Sequence, residues 1–397
     1  MGVLQSEHHF FFATSAQGPR HASLVIYLFG TFGIGGRSLG VRVKKYRFLA
    51  AGLLLALASQ VPWAQRPVHG GGATFPFPLY AKWAYLYKAK TGFVVNYISI
   101  GSGGGLEQIS ARTVDFGASE APLPEKALKA DRLVQFPMVV GAVVLAANLE
   151  NLKPGDLKLT GDLVARIYLG KITAWNDASI RALNPGLKLP NLPITVVQRA
   201  DGSGSTWLFT HYLCMVSPEW ARSVGAGTSV RWPVGAGAKG SEGVSAFVKT
   251  LPGALGYVQA AYAEQSKLLT LALKNRDGTF VTPSPSAFKA AADQADWSRA
   301  PGEAALLLDL PGEGTWPITG ASYVLVYRDQ AESQKAAGLL SFFDWCLRDG
   351  APIAAELGYV PLPEEAVRRV EEIWSTQLKS GGKTIWNPAG GPASKVK

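Results

Sequence analysis

Three times in this sequence a run of glycine and hydroxyl residues opens a helical pattern: GGGATFPFP at 70–78, GSGGG at 101–105 and RADGSGS at 199–205. Around these turns, strand-like and helical segments alternate. Apolar and aromatic residues fall at helical spacing over Leu79–Lys90, and FVVNYISI (Phe93–Ile100) reads as a strand. A glycine loop over Gly101–Gly105 leads into a helix through Arg112, followed by a short strand at Val114–Ala118. Phe136–Ala147 is a long apolar strand-like run, then come a helix around Leu163–Leu169, a strand at Ile194–Arg199 and a helix from Ser205. Further helices are predicted at 243–250, 286–295, 334–347 and 364–378, and strands at 254–259 and 318–327. This alternation predicts α/β lobes, each a mainly parallel sheet flanked by helices. In such sheets ligands bind beyond the carboxyl ends of strands, in the turns that lead to helices.

The three turns share a chemistry. A helix N-terminus presents unpaired N–H groups and a partial positive charge. Glycine lets that backbone approach a ligand, and Ser and Thr add hydroxyl donors. Together they make an anion site that needs no metal. Arg199 adds a full charge and a planar fork suited to tetrahedral oxyanions. Any one of these turns, taken singly, reads as a helix cap; three of them with an arginine point to a site.

Other chemistries lack their residues. No GxxxxGK[ST] occurs, GSGGG is followed by Leu106 so that no GxGxxG forms, and 202–206 reads GSGST rather than GxSxG. Beyond residue 64 the histidines are His69 and His211. A Ser-His-Asp engine or a zinc cluster is therefore poorly supplied, and His211 reads as a packed or surface histidine. No catalytic residue, metal or cofactor is expected. The formal charge of +10 suggests nucleic acid, but six basic residues and one acid lie in 1–64. The remaining 33 basic and 28 acidic residues are scattered, which removes most support for a nucleic-acid partner.

VRVKKYR (41–47) followed by FLAAGLLLALA (48–58) reads as a secretory signal, with cleavage near Ala58 or Ala64. Its apolar core is too short to span a membrane comfortably. Residues 1–40 precede it as an unusual extension, and translation is expected to start near Val41 or Val43. Neither Cys214 nor Cys346 follows the apolar core, so no lipid-anchored cysteine is expected there; both read as separate buried thiols. The expected compartment is the periplasm.

GGGATFPFPLYAKW (70–83), GSGGGLEQI (101–109), TVDFGASEAPL (113–123), YLGKITAWND (168–177), RADGSGSTWLFTHYL (199–213), LPGALGYVQAAYA (251–263) and WPITGASYVLVY (316–327) resemble the periplasmic phosphate-binding proteins of high-affinity ABC phosphate importers. The resemblance runs over nearly all of 70–397. It implies a two-lobed periplasmic binding protein fold, type II-like, hinged between lobes. Lobe one would comprise 69–138 and 317–397, and lobe two 140–315. It further implies a monomeric, non-enzymatic receptor that captures inorganic phosphate and delivers it to an inner-membrane ABC permease. The binding residues it points to are Thr74, Phe75, Ser102, Glu120, Arg199, Ser203, Gly204 and Ser205, with Asp201 orienting Arg199 through an ion pair.

Two positions depart from the family pattern. Ser205 stands where threonine is usual, and keeps the hydroxyl. Glu120 stands where aspartate is usual, adding a methylene for which Gly103 is expected to make room. A carboxylate accepts a hydrogen bond from the O–H of phosphate and repels sulfate, which carries no proton at neutral pH. Phosphate selectivity is expected to survive with altered affinity. The competing readings are a receptor for another oxyanion such as sulfate, and a secreted phosphatase built on the same cradle.

Overall fold

The computed structural model describes residues 66–297, 307–387 and 391–393. The extension and export signal expected over 1–64 lie outside the described residues. Nine strands form the principal sheet among the described residues. They are β1 (Val68–Gly72), β2 (Val95–Ser99), β3 (Phe116–Ser119), β4 (Leu133–Ala147), β5 (Thr195–Arg199), β6 (Ala236–Ala238), β7 (Ala254–Gln259), β8 (Leu269–Thr270) and β9 (Thr319–Tyr327). Their order is β2-β1-β3-β9-β4-β7-β5-β6, with β8 beside β4. Five helices bear on the site: α1 (Phe77–Thr91), α2 (Gly101–Ser110), α3 (Gly204–Val216), α4 (Gly240–Thr250) and α5 (Ala260–Gln265).

The parallel pairing expected of each lobe holds for the strands that feed the site, β1 with β2 and β3, and β5 with β6 and β7. The long strands β4 and β9 instead pair antiparallel with each other and with their neighbours, so each sheet is mixed. β4 pairs with β9 through Ala142 and with β7 from Val143 onward. At that switch Val143 donates its N–H to the Ile318 carbonyl at 2.9 Å, and the Trp316 indole donates to the Val143 carbonyl at 2.8 Å.

Two aromatic clusters fill the core. On one side Phe343 packs edge-on to Phe116 and Phe136, and Trp374 packs on Phe136. On the other, Tyr257 stacks on Phe209 and Trp232. Such rings bury large apolar areas within one continuous core. Among the described residues no helix is long and apolar enough to cross a membrane.

Two local expectations are corrected. The glycines at 70–72 belong to strand β1 and not to the turn after it. A side chain at Gly70 would lie 2.1 Å from the Phe116 ring, so the strand is glycine-rich because β3 packs a phenylalanine across it. GSGGG is likewise the first turns of α2 rather than a loop before it. Glycine weakens a helix by about 1 kcal/mol each, but a side chain at Gly105 would sit 2.4 Å from the Gly72 Cα. Close packing on β1 outweighs propensity. Of the two thiols, both free, Cys346 is buried as expected and Cys214 is only half-buried.

Candidate functional site

β5 ends on Arg199, whose side chain is 2% exposed although no part of an apolar core can solvate it. Asp201 supplies what burial removes. Arg199 Nε donates to Asp201 Oδ1 at 2.9 Å and Nη2 to Oδ2 at 2.5 Å, a fork-to-fork pair. Partial burial works against the Asp201 charge, but the hydrogen bond and charge of Arg199 outweigh it and hold the carboxyl below its usual range. Asp201 Oδ1 also accepts the N–H of Gly240 at 2.9 Å. The expected orienting ion pair thus doubles as the cap of α4.

Ser203 caps α3, its side chain accepting the Thr206 N–H at 3.2 Å. Gly204 follows, and its N–H donates to Ser102 Oγ at 3.0 Å, from the first turn of α2. Ser205 is 1% exposed and its hydroxyl has no hydrogen-bond partner among the described residues. A buried polar atom left so costs about 1–3 kcal/mol unless a ligand engages it.

Glu120 lies just beyond β3, 2% exposed. Its Oε2 accepts from Ser102 Oγ at 3.3 Å and its Oε1 from Ser322 Oγ at 3.2 Å. Burial pushes its pKa up to about 7; the Arg199 charge and the two serine hydroxyls oppose the shift without cancelling it. A side chain at Gly204 would fall 2.3 Å from Glu120 Oε2 and 2.7 Å from its Cβ. The room for this glutamate therefore comes from Gly204. Gly103, expected to provide it, instead faces Gly202, to whose carbonyl it donates at 2.9 Å.

Thr74, at the mouth of α1, shares a 2.9 Å hydrogen bond between its hydroxyl and Ser241 Oγ on α4, and its carbonyl accepts from the Tyr262 hydroxyl at 2.9 Å. Phe75 is wholly buried; the Tyr359 hydroxyl donates to its carbonyl at 2.6 Å and the two rings pack edge-on. The hydrogen bonds and close approaches link Thr74, Ser102, Glu120, Arg199, Asp201 and Gly204 into one cluster, with Ser203 and Ser205 on either side of Gly204. Phe75 enters through its backbone position beside Thr74, its ring serving the core. His211 is a packed histidine, its Nδ1 2.8 Å from the Trp207 carbonyl and its ring on Trp207. Among the described residues no cluster of His, Cys, Asp and Glu could hold a metal ion.

Sequence reasoning missed Ser241, Tyr262 and Ser322. Ser241 had a signal: AGAKGSEG repeats the glycine-hydroxyl grammar of the other turns, disguised because β6 is only three residues long. Ser322 sits in an apolar strand where one hydroxyl announces nothing.

A sheet that runs from one lobe to the other, with a buried arginine and hydroxyls gathered at three helix starts, defines a two-lobed binding protein. A family model described as a PBP superfamily domain matches residues 58–349. The phosphate-binding protein PstS of Pasteurella multocida is 47% identical over 320 residues, 80% of this chain and 93% of that one. The PstS of Haemophilus influenzae is 47% identical over 342 residues, 85% and 100% of the two chains. A solved structure of a high-affinity periplasmic phosphate-binding protein (PfluDING) with phosphate bound shares the fold at a TM-score of 0.64 and 19% identity, covering 83% of this chain and 100% of that one. The chain belongs to the PstS family of phosphate-binding proteins.

Proposed function

We propose that this protein, exported to the periplasm and working as a monomer, closes its two lobes on one inorganic phosphate and hands it to an ABC permease in the inner membrane. The observation that carries the reading is the pairing of donors with a buried acceptor. Arg199, the hydroxyls of Thr74, Ser102, Ser203 and Ser205, and the amides of Phe75, Gly204 and Ser205 would donate to phosphate oxygens. Glu120 would accept the phosphate O–H. Each charge-assisted hydrogen bond contributes roughly 1.5–3 kcal/mol, and several offset the cost of immobilising a small ion. The names of the relatives support the same ligand.

Lobe one is assigned to 69–138 and 317–397 and lobe two to 140–315, in line with the change of β4 partner after Ala142 and the bonds of Val143 to Ile318 and Trp316. Thr74, Phe75, Ser102 and Glu120 then face Arg199 to Ser205 across the cleft, and the anion would bridge them. Binding energy spent on that bridge favours the closed form, which a permease can recognise.

The test is calorimetric titration at pH 8 of protein stripped of ligand by unfolding and refolding. One-to-one phosphate binding without sulfate heat is expected. Binding of both anions would overturn Glu120 as the filter, and silence from both, with folding verified, would overturn the receptor.

A further inference from the structure

Glu120 can reject a protonless anion only while it stays ionised and aimed at the cleft, and its two oxygens are not held alike. Ser102, which meets Oε2, is itself assigned to the ligand and also accepts the Gly204 N–H. Oε1 is held from behind by Ser322 alone among the contacts described, a wholly buried residue on β9 with no place in the anion cradle. Ser322 reaches it because β9 runs antiparallel beside β3: Tyr323 pairs with Ser119, so one further step of that ladder brings Ser322 level with Glu120. Ser322 pairs with Val139 and Tyr323 with Pro137, so β4 carries one extra residue, Met138, at that step. That bulge bends β4, the strand that carries it, and Pro137, lacking an N–H, is a residue a ladder tolerates there. A side chain at Gly320, two residues earlier on the same face of β9, would meet Leu208 of α3, so this face looks across at the helix that starts the cradle.

We propose that Ser322 is the positioning residue for anion discrimination: set level with Glu120 by the β3–β9 register, its hydroxyl donates to Glu120 Oε1 and fixes the carboxylate as an acceptor turned toward the bound anion. This rests on the phosphate reading above and adds to it a residue outside the cradle.

The consequence is read most cleanly with sulfate. Sulfate has no proton to give, so it fits opposite Glu120 only when Glu120 itself carries one. Sulfate binding is therefore coupled to proton uptake and rises as pH falls. The other groups facing Glu120 are Arg199 from β5, Tyr80 from α1, Tyr97 from β2, Tyr262 from α5 and Tyr359 beyond β9. Burial holds all four tyrosines above their ordinary range, so they stay neutral. Ser322 also bears on the Tyr80 hydroxyl, which burial keeps neutral, so Glu120 is the group whose charge its loss changes.

The experiment compares wild type, Ser322→Ala, and the isosteric pair Ser322→Thr and Ser322→Val, titrating phosphate and sulfate by calorimetry between pH 5 and pH 8.5. Thr and Val differ only in the hydroxyl, so they decide the matter even where Ser322→Ala does not fold. Sulfate binding is expected to extend about one pH unit higher in Ala and Val than in wild type and Thr, with phosphate weakened roughly tenfold. Equal sulfate profiles for Thr and Val, or sulfate excluded by Val at every pH, would overturn the proposal while leaving phosphate capture intact. A wild type that binds no phosphate would overturn both.

Discussion

At the scale of one residue, Glu120 sets the terms. Its carboxyl is held near pH 7 rather than at the ordinary 4.5 because burial disfavours its charge. With the Glu120 carboxylate held by Ser102 and Ser322, this has a stability cost whose sign is fixed. Between pH 4.5 and 7 the folded protein keeps a proton the unfolded chain has released. Stability contributed by this group is full below that window, falls as pH rises through it, and is lost above it. Glu120→Gln removes the titration. Its stability advantage over wild type, from ligand-free denaturation at a series of pH values, should grow from pH 5 to 7 and then level off at about 3 kcal/mol. A gap that does not change with pH would mean that Glu120 is hydrated without ligand. The amide also donates, so the variant should bind sulfate at pH 8, where wild type does not. Glu120 entered the reading through the family resemblance, in which aspartate stands at that position, and the structure buries it beside Ser102 and Ser322. The sequence did not disclose Ser322 or the space at Gly204, since both depend on which distant strand and helix lie alongside.

At the scale of elements, the start of α3 separates structure from binding within three residues. Ser203 caps the helix through Thr206, whereas the Ser205 hydroxyl has no partner among the described residues. Ser203→Ala should lower the stability of the ligand-free protein by about 1 kcal/mol and weaken phosphate as well. Ser205→Ala removes a buried hydroxyl without a partner, so it should raise ligand-free stability rather than lower it, and weaken phosphate roughly ten- to hundredfold. Equal losses of stability in the two variants would remove Ser205 from the site. The elements themselves were largely legible. Strand 254–259 and the helices near 334–347 and 364–378 fall where periodicity put them, to within a residue or so. Boundaries failed where glycine was read as a loop. At 70–72 and 101–105 it marks backbone packed against backbone or ring, a tertiary demand that local propensity does not carry.

At the scale of the whole molecule, the proposed lobe assignment makes the meeting of Gly204 with Glu120 one of the close approaches across the cleft. The side chain missing at Gly204 admits the Glu120 carboxylate from the facing lobe, and a methyl group there would also press on the Glu120 backbone nitrogen at 2.8 Å. Within one rigid core such overpacking costs about 1–3 kcal/mol of stability. Across a hinged cleft the lobes can part instead, and the clash falls on closure alone. Gly204→Ala should therefore unfold at the wild-type temperature without ligand, yet bind phosphate at least a hundredfold more weakly. Small-angle scattering should show its radius of gyration unchanged by phosphate at concentrations that contract the wild type. A lowered unfolding temperature with contraction preserved would place Glu120 and Gly204 within one rigid body, and the hinge would have to be drawn elsewhere than the partner change in β4. The opposite outcome, stability kept and contraction lost, makes the closure of Glu120 onto the start of α3 the step that couples anion capture to shape.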